Sequence, residues 1–173
     1  AAADAAVAEV EPLLFATLDT PITEADIRNE LEYRMRLHGA DDRSYETIVA
    51  SGPDHAARPH HEVGRRLIVE GDTVIIDVGA LVDGYHSDMT RSYVIGEPTM
   101  EQREIYALVE ASHAAGVAAL RPGISARELD TAAARFAGAL RDAGLATGDR
   151  IGVCLRDTAD HLIARLAAGR AGI

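Results

Sequence analysis

The sequence predicts a mixed α/β fold of the α+β kind, with helices packed on one face of a curved antiparallel sheet. Three observations carry this. Segments with apolar residues at helical spacing open on capping residues at Thr23, Thr99 and Ser125. The stretch Gly71 to Ile95, GDTVIIDVGALVDGYHSDMTRSYVI, reads as two strands joined at Asp83-Gly84. Hydrophobic residues make up 47% of the 173, enough to bury a sizeable core.

Taken in order, residues 3–18 read as a helix, with Val7, Val10, Leu13, Leu14 and Leu18 near a helical period and Pro12 expected to kink or restart it. Thr20-Pro21 ends it, and Thr23 caps the next helix. That helix carries an apolar stripe of Ile27, Leu31, Met35 and Leu37, and Gly39 suits the left-handed position after its end. Residues 45–50 read as a strand, and residues 51–62, SGPDHAARPHHE, as a loop rich in Gly, Pro and His. The hairpin follows. A capping box, Thr99 to Gln102, opens a helix to about Leu120, and a second, Ser125 to Glu128, opens one to about Ala143, stopped by Gly144. A strand at 151–155 and a short helix at 158–168 are expected in the tail. PITEADI (21–27) and PGISAREL (122–129) echo each other, as in a duplicated unit whose second copy is cut short.

Composition narrows the function. A net charge of −11 and a pI near 5.0 exclude general binding to nucleic acid or anionic membranes. No apolar run reaches the length of a membrane span, and the first residues lack the pattern of a signal peptide. A single cysteine, Cys154, permits no internal disulfide and fits a reducing compartment, so a cytoplasmic protein is expected. All 17 basic residues are Arg, a bias of the genome rather than of the function.

The hairpin fixes a geometry. With Asp83 and Gly84 as turn residues, Val82 faces Tyr85, Gly79 faces Asp88 and Asp77 faces Thr90. Asp77 and Asp88 then share a face as diagonal neighbours, with open space expected at Gly79. Val74, Ile76, Val78 and Met89 share the other face and suit a core. Two carboxylates that close repel unless protons or cations intervene. At diagonal spacing they can bridge a pair of metal ions.

The residues 47–53 (TIVASGP), 58–61 (RPHH), 71–96, 104–106 (EIY) and 121–130 (RPGISARELD) together resemble the pita-bread metallopeptidases: methionine aminopeptidase, prolidase and aminopeptidase P. The D-x10-D spacing across an Asp-Gly turn, followed by Thr90-Arg91, is the most specific part. SDMTR and RPHH are closest to the Xaa-Pro peptidase branch. The resemblance implies a pita-bread fold, here its first half plus the helices of the second. Residues 1–144 would be an incomplete catalytic domain and 145–173 a divergent or truncated tail. It implies two divalent metal ions, Mn2+ or Co2+, with Asp77 and Asp88 as ligands. It gives His60 a place near the substrate, a peptide with an N-terminal Xaa-Pro.

The family also uses one His and two Glu as ligands. The His belongs to a Gly-His-Gly segment, where this chain has Gly148-Asp-Arg-Ile-Gly152 instead, and no Glu follows Glu128. Weak metal binding and no peptidase activity are therefore expected of these 173 residues. A non-catalytic binding module of the same fold is the alternative, as is a metal-independent creatinase-like C–N hydrolase. His55, His61 and His86 are expected at the surface, and Cys154 as a small apolar residue. Arg91 would order the site or form a surface ion pair. Missing strands would expose a sheet edge and favour homo-oligomers.

Overall fold

The computed structural model describes residues 1–16, 20–58, 60–119, 122–125 and 127–128, and the chain divides into two units, Ala1–Pro98 and Thr99–Ile173. In the first unit, helix α1 (Ala2–Phe15) runs through Pro12 as one element. The restart expected there is absent because Pro12 lies on the exposed side, where a carbonyl without its helical partner is open to water. Val7, Val10 and Leu14 are buried while Leu13 faces out.

Helix α2 (Glu24–Leu37) follows its sequence signals closely. Thr23 caps it, its Oγ1 accepting from the Asp26 amide at 3.2 Å while the Asp26 carboxylate accepts from the Thr23 amide at 2.9 Å. At the other end Gly39 takes φ +88°, the Ala40 amide donates to Met35 and the Gly39 amide to Arg36, a complete Schellman motif. Ile27, Leu31 and Met35 are buried, but Leu37 is 63% exposed. Two residues beyond Met35, it falls on the opposite side of the helix. Glu9 of α1 accepts from Arg34 and pairs with His38 at 2.9 Å, so this acidic residue ties the two helices together.

The strands are β1 (Asp42–Arg43), β2 (Ile48–Ser51), β3 (Thr73–Val78), β4 (Ala80–Val82), β5 (Tyr85–His86) and β6 (Met89–Val94), with a one-turn helix α3 (Gly52–His55) after β2. They form two antiparallel three-stranded sheets, β2-β3-β6 and β1-β4-β5. The register of the hairpin is the one its turn dictates: Val82 pairs with Tyr85, and Asp77 with Thr90. Asp83 and Gly84 have φ of +51° and +78°, as a type I′ turn requires. Val74, Ile76, Val78 and Met89 are buried with Val7, Val10, Leu14, Ile27, Leu31 and Met35 in one apolar cluster. The helices thus cover one face of the larger sheet, and Asp77 points to the other.

The strand expected at 45–50 is interrupted. Between the pairs Arg43–Ala80 and Ile48–Asp77, one chain advances five residues and the other three. The surplus forms a bulge at residues 44–47, which bends the chain and re-aims the side chain of Tyr45. A bulge is invisible to period-two reading, because each flank still alternates correctly. Opposite it, the space at Gly79 is filled rather than open. A Cβ there would stand 2.1 Å from the Ser87 carbonyl oxygen and 2.8 Å from the ring of Tyr45.

In the second unit, α4 (Met100–Ala119) opens on its capping box. Thr99 Oγ1 accepts from the Gln102 amide at 3.1 Å, and Gln102 Oε1 accepts from the Thr99 amide at 2.8 Å. The Ser125–Glu128 box forms in the same way. The helix expected to Ala143, the strand at 151–155, the helix at 158–168 and Cys154 lie outside the described residues.

Gly79→Ala is expected to destabilise the chain by about 3 kcal/mol, the upper end for overpacking, because the obstacle is backbone. Urea unfolding of the two proteins measures it, and an unchanged midpoint would contradict the crowding described at Gly79.

Candidate metal centre

Asp77 sits near the end of β3 and Asp88 one residue before β6, so the hairpin register brings both to one face. The bulge then places Tyr45 between them. Its hydroxyl oxygen is 2.7 Å from Asp77 Oδ1 and 2.7 Å from Asp88 Oδ1. Asp77 Oδ1 also accepts from Thr90 Oγ1 at 3.1 Å. A phenol has one proton, so a single O–H serves two carboxylates. Burial, and then the hydrogen bonds to Asp77 and Asp88, push the Tyr45 pKa well above its ordinary value and hold the phenol protonated.

This arrangement shows why the pair can exist in one fold. Two unit negative charges about 5 Å apart repel by about 3 kcal/mol at an effective dielectric near 20. The repulsion is offset by the shared proton on one side and by water on the other, since Asp88 is exposed. Two carboxylates aimed at one point are the hard oxygen donors that divalent cations take. The residues present fit such an ion.

Other expected site residues stand elsewhere. His60 is exposed, in the loop between α3 and β3. Arg91 donates to the Thr90 carbonyl at 2.9 Å and meets Asp4 of α1 at 3.4 Å, so the surface ion pair is the reading that holds. His86 is exposed and bonds Ser44 at 3.0 Å.

His55 and His61 correct their assignment to the surface. His61 is buried and His55 half-buried, and both meet Glu24, the first residue of α2, which is wholly buried. Glu24 Oε1 accepts from the Ser51 amide (2.8 Å) and hydroxyl (2.7 Å) and lies 2.9 Å from His55 Nδ1. Glu24 Oε2 lies 2.9 Å from His61 Nε2 and 3.4 Å from the Gly64 amide. Burial pushes this carboxyl up, but the bonds from His61, Ser51 and His55 outweigh burial and hold its pKa below the ordinary value. Behind Ser51 stands Arg66, which donates to the Ser51 hydroxyl at 2.7 Å and is clamped by both oxygens of buried Asp72.

Sequence reasoning missed Tyr45 and Glu24. Glu24 was masked by the capping box around it, which explains an acidic first turn without burial. The one available signal was two adjacent histidines in a loop, where an inward-facing member needs a buried partner.

The chain is similar to known proteins of one family. The model of metallopeptidase family M24 matches residues 1–171. The chain is 42% identical to the Xaa-Pro dipeptidase of Pyrococcus furiosus over 110 residues, 64% of this chain and 31% of that protein. It is 38% identical to the probable dipeptidase PepE of Mycobacterium bovis over 142 residues, 78% of this chain and 36% of that one. Among solved structures, Pseudomonas aeruginosa aminopeptidase PepP aligns with a TM-score of 0.71 at 29% identity, over 98% of this chain and 36% of its own. The X-Pro aminopeptidase of Thermotoga maritima gives 0.69 at 26%, over 90% and 46%.

The fold is therefore the pita-bread fold of mixed helices and antiparallel sheet. The chain belongs to metallopeptidase family M24, a family of divalent-metal enzymes, and spans about a third of the length of the curated relatives it matches.

Tyr45→Phe removes the shared proton and leaves two acceptors facing each other. It is expected to cost about 1–3 kcal/mol of stability in metal-free buffer, the range for losing a hydrogen bond to charged groups. Denaturant unfolding in the presence of a chelator measures this, and a loss below about 0.5 kcal/mol would show that the hydroxyl is dispensable to the pair.

Proposed function

We propose that this chain carries one half of the dinuclear metal centre of an Xaa-Pro-type metallopeptidase, with Asp77 and Asp88 as its ligands. The observation that carries the reading is the convergence of both carboxylates on the Tyr45 hydroxyl, at 2.7 Å each. A structural pair of like charges gains nothing from such an approach, whereas a cation site requires it. A binding module of this fold would have no use for it.

When bound, Mn2+ or Co2+ in such a centre supplies Lewis acidity and an activated water for hydrolysis of a peptide with an N-terminal Xaa-Pro. The chain's own share is to hold the carboxylates. Thr90 and Tyr45 fix Asp77, and Tyr45 fixes Asp88. His60, exposed on a loop anchored by its buried neighbour His61, is free to meet a substrate from the solvent side. The names of the relatives, Xaa-Pro dipeptidase and X-Pro aminopeptidase, support the substrate class. The single cysteine supports a cytoplasmic setting. Among the described residues no helix is long and apolar enough to cross a membrane.

Two carboxylates bind a metal ion weakly, and no Glu follows Glu128 in these 173 residues. These 173 residues by themselves are therefore inactive, with residues 1–144 as an incomplete catalytic part. Millimolar Mn2+ is expected to raise the melting temperature of the chain, and Asp88→Asn to abolish that rise. No Xaa-Pro dipeptide should be hydrolysed with Mn2+ or Co2+ added. Metal-dependent turnover would overturn the inactivity, and an equal thermal shift in the Asp88→Asn protein would remove Asp88 from the site.

Among the described residues β6 is an edge strand of its sheet, and an uncovered edge recruits another strand. Self-association follows from this, and light scattering tests it: a monodisperse monomer across a hundredfold concentration range, an order-of-magnitude span chosen to bracket weak dimers, would refute it.

A further inference from the structure

We propose that Glu24, His55 and His61 form a second cation site, separate from the Asp77–Asp88 pair and selective for zinc-like ions. The three donors come from separate elements. Glu24 opens α2, His55 ends α3, and His61 lies in the loop that follows. One ligand atom from each lies within 4.8 Å of the others. An ion held at about 2.0–2.2 Å from each donor spans donor separations of about 3–3.6 Å, so small ring movements close the site.

The donor set is two imidazoles and one carboxylate, which zinc takes with a fourth position open to water or another ligand. The hard oxygen pair at Asp77 and Asp88 suits Mn2+, and imidazole suits zinc, so the two sites sort ions by donor softness. The support behind the donors is already built. The Ser51 amide and hydroxyl orient Glu24, Arg66 orients Ser51, and Asp72 holds Arg66 with two hydrogen bonds. Glu24 and His61 are buried, which excludes water, while the His55 side chain is 24% exposed and leaves an entry.

The rings of His55 and His61 stack with centroids 4.1 Å apart and planes at 32°. They meet different oxygens of one carboxylate, His55 at Oε1 and His61 at Oε2. In the cation-free chain, protons on the facing nitrogens complete the hydrogen bonds to Glu24. Cation binding requires each ring to carry its proton on the far nitrogen and to present a lone pair at Nδ1 of His55 and Nε2 of His61. The carboxylate keeps its bonds from Ser51 in either state.

The test uses the full chain carrying Asp77→Asn and Asp88→Asn, so that the carboxylate pair cannot contribute. Isothermal titration with zinc chloride should show one ion bound per chain. Adding His55→Ala, a change at a half-exposed residue, should weaken binding at least about tenfold, as loss of a ligand or its support does. Circular dichroism establishes that this variant folds. A readout without that variant is the 15N spectrum of the histidine rings, in which His55 Nδ1 and His61 Nε2 should shift together on saturation with zinc. No heat of binding, binding unchanged by His55→Ala, or zinc-induced shifts confined to exposed His60 and His86 would each overturn the site.

Discussion

The arrangement around the hairpin depends on one phenolic proton. Asp77 and Asp88 arrive on the same face because the Asp83-Gly84 turn leaves the register no choice. Like charges so placed need a partner, and the Tyr45 hydroxyl is that partner in the chain as it stands. Several local features follow from seating the ring. Gly79 must lack a side chain because the ring and the Ser87 carbonyl occupy that space. The bulge at 44–47 must break the β1–β2 run, because a regular strand would aim Tyr45 elsewhere. Ser44 remains bonded to the Gly79 carbonyl at 2.8 Å, which keeps the bulge against the hairpin.

Glu24 plays the corresponding part for the loop that carries His60. A carboxylate with no exposure is costly unless every lone pair is used. Here five donor groups from four residues surround it, and the lowered pKa indicates that they overcompensate burial. Its place at the start of α2 adds the favourable end of the helix dipole. The same helix start is covered by residues 64–68, whose Gly64 and Arg66 carbonyls accept from the Ala25 and Glu24 amides. The loop between α3 and β3 is therefore pinned at both ends, with His61 inward and His60 outward.

The elements that were legible in the sequence are those set by local rules. The cap at Thr23, the Schellman glycine Gly39, the boxes at Thr99 and Ser125 and the hairpin register each depend on residues within a few positions of one another. The buried face Val74, Ile76, Val78 and Met89 follows from strict alternation. What was not legible depends on distant pairs. The contact between Tyr45 and Asp88 joins residues 43 apart, and that between Glu24 and His61 joins residues 37 apart. No local pattern distinguishes His61, which turns inward, from His60, which does not. Leu37 is a different case: its angular position, two residues past Met35, is a local feature that outweighs its apolar character and leaves it exposed.

The two carboxylate centres differ in a way that bears on function. At Asp77 and Asp88 the two carboxylates share one neutral donor, the Tyr45 hydroxyl, and Asp88 faces solvent. Such a site is poised to exchange its proton partner for a cation at little structural cost, because the hairpin already fixes the oxygens. At Glu24 the charge is fully satisfied, so an ion must replace hydrogen bonds that already exist and must gain through donor softness what it loses in protons. The first centre is therefore open and preorganised, as the proposed metal half-site requires. The second is an anchor, and an ion bound there would tighten the loop beneath His60 without touching the hairpin. On the proposed readings, substrate positioning by that loop and metal loading at the hairpin would be set by separate groups, and could be altered one at a time.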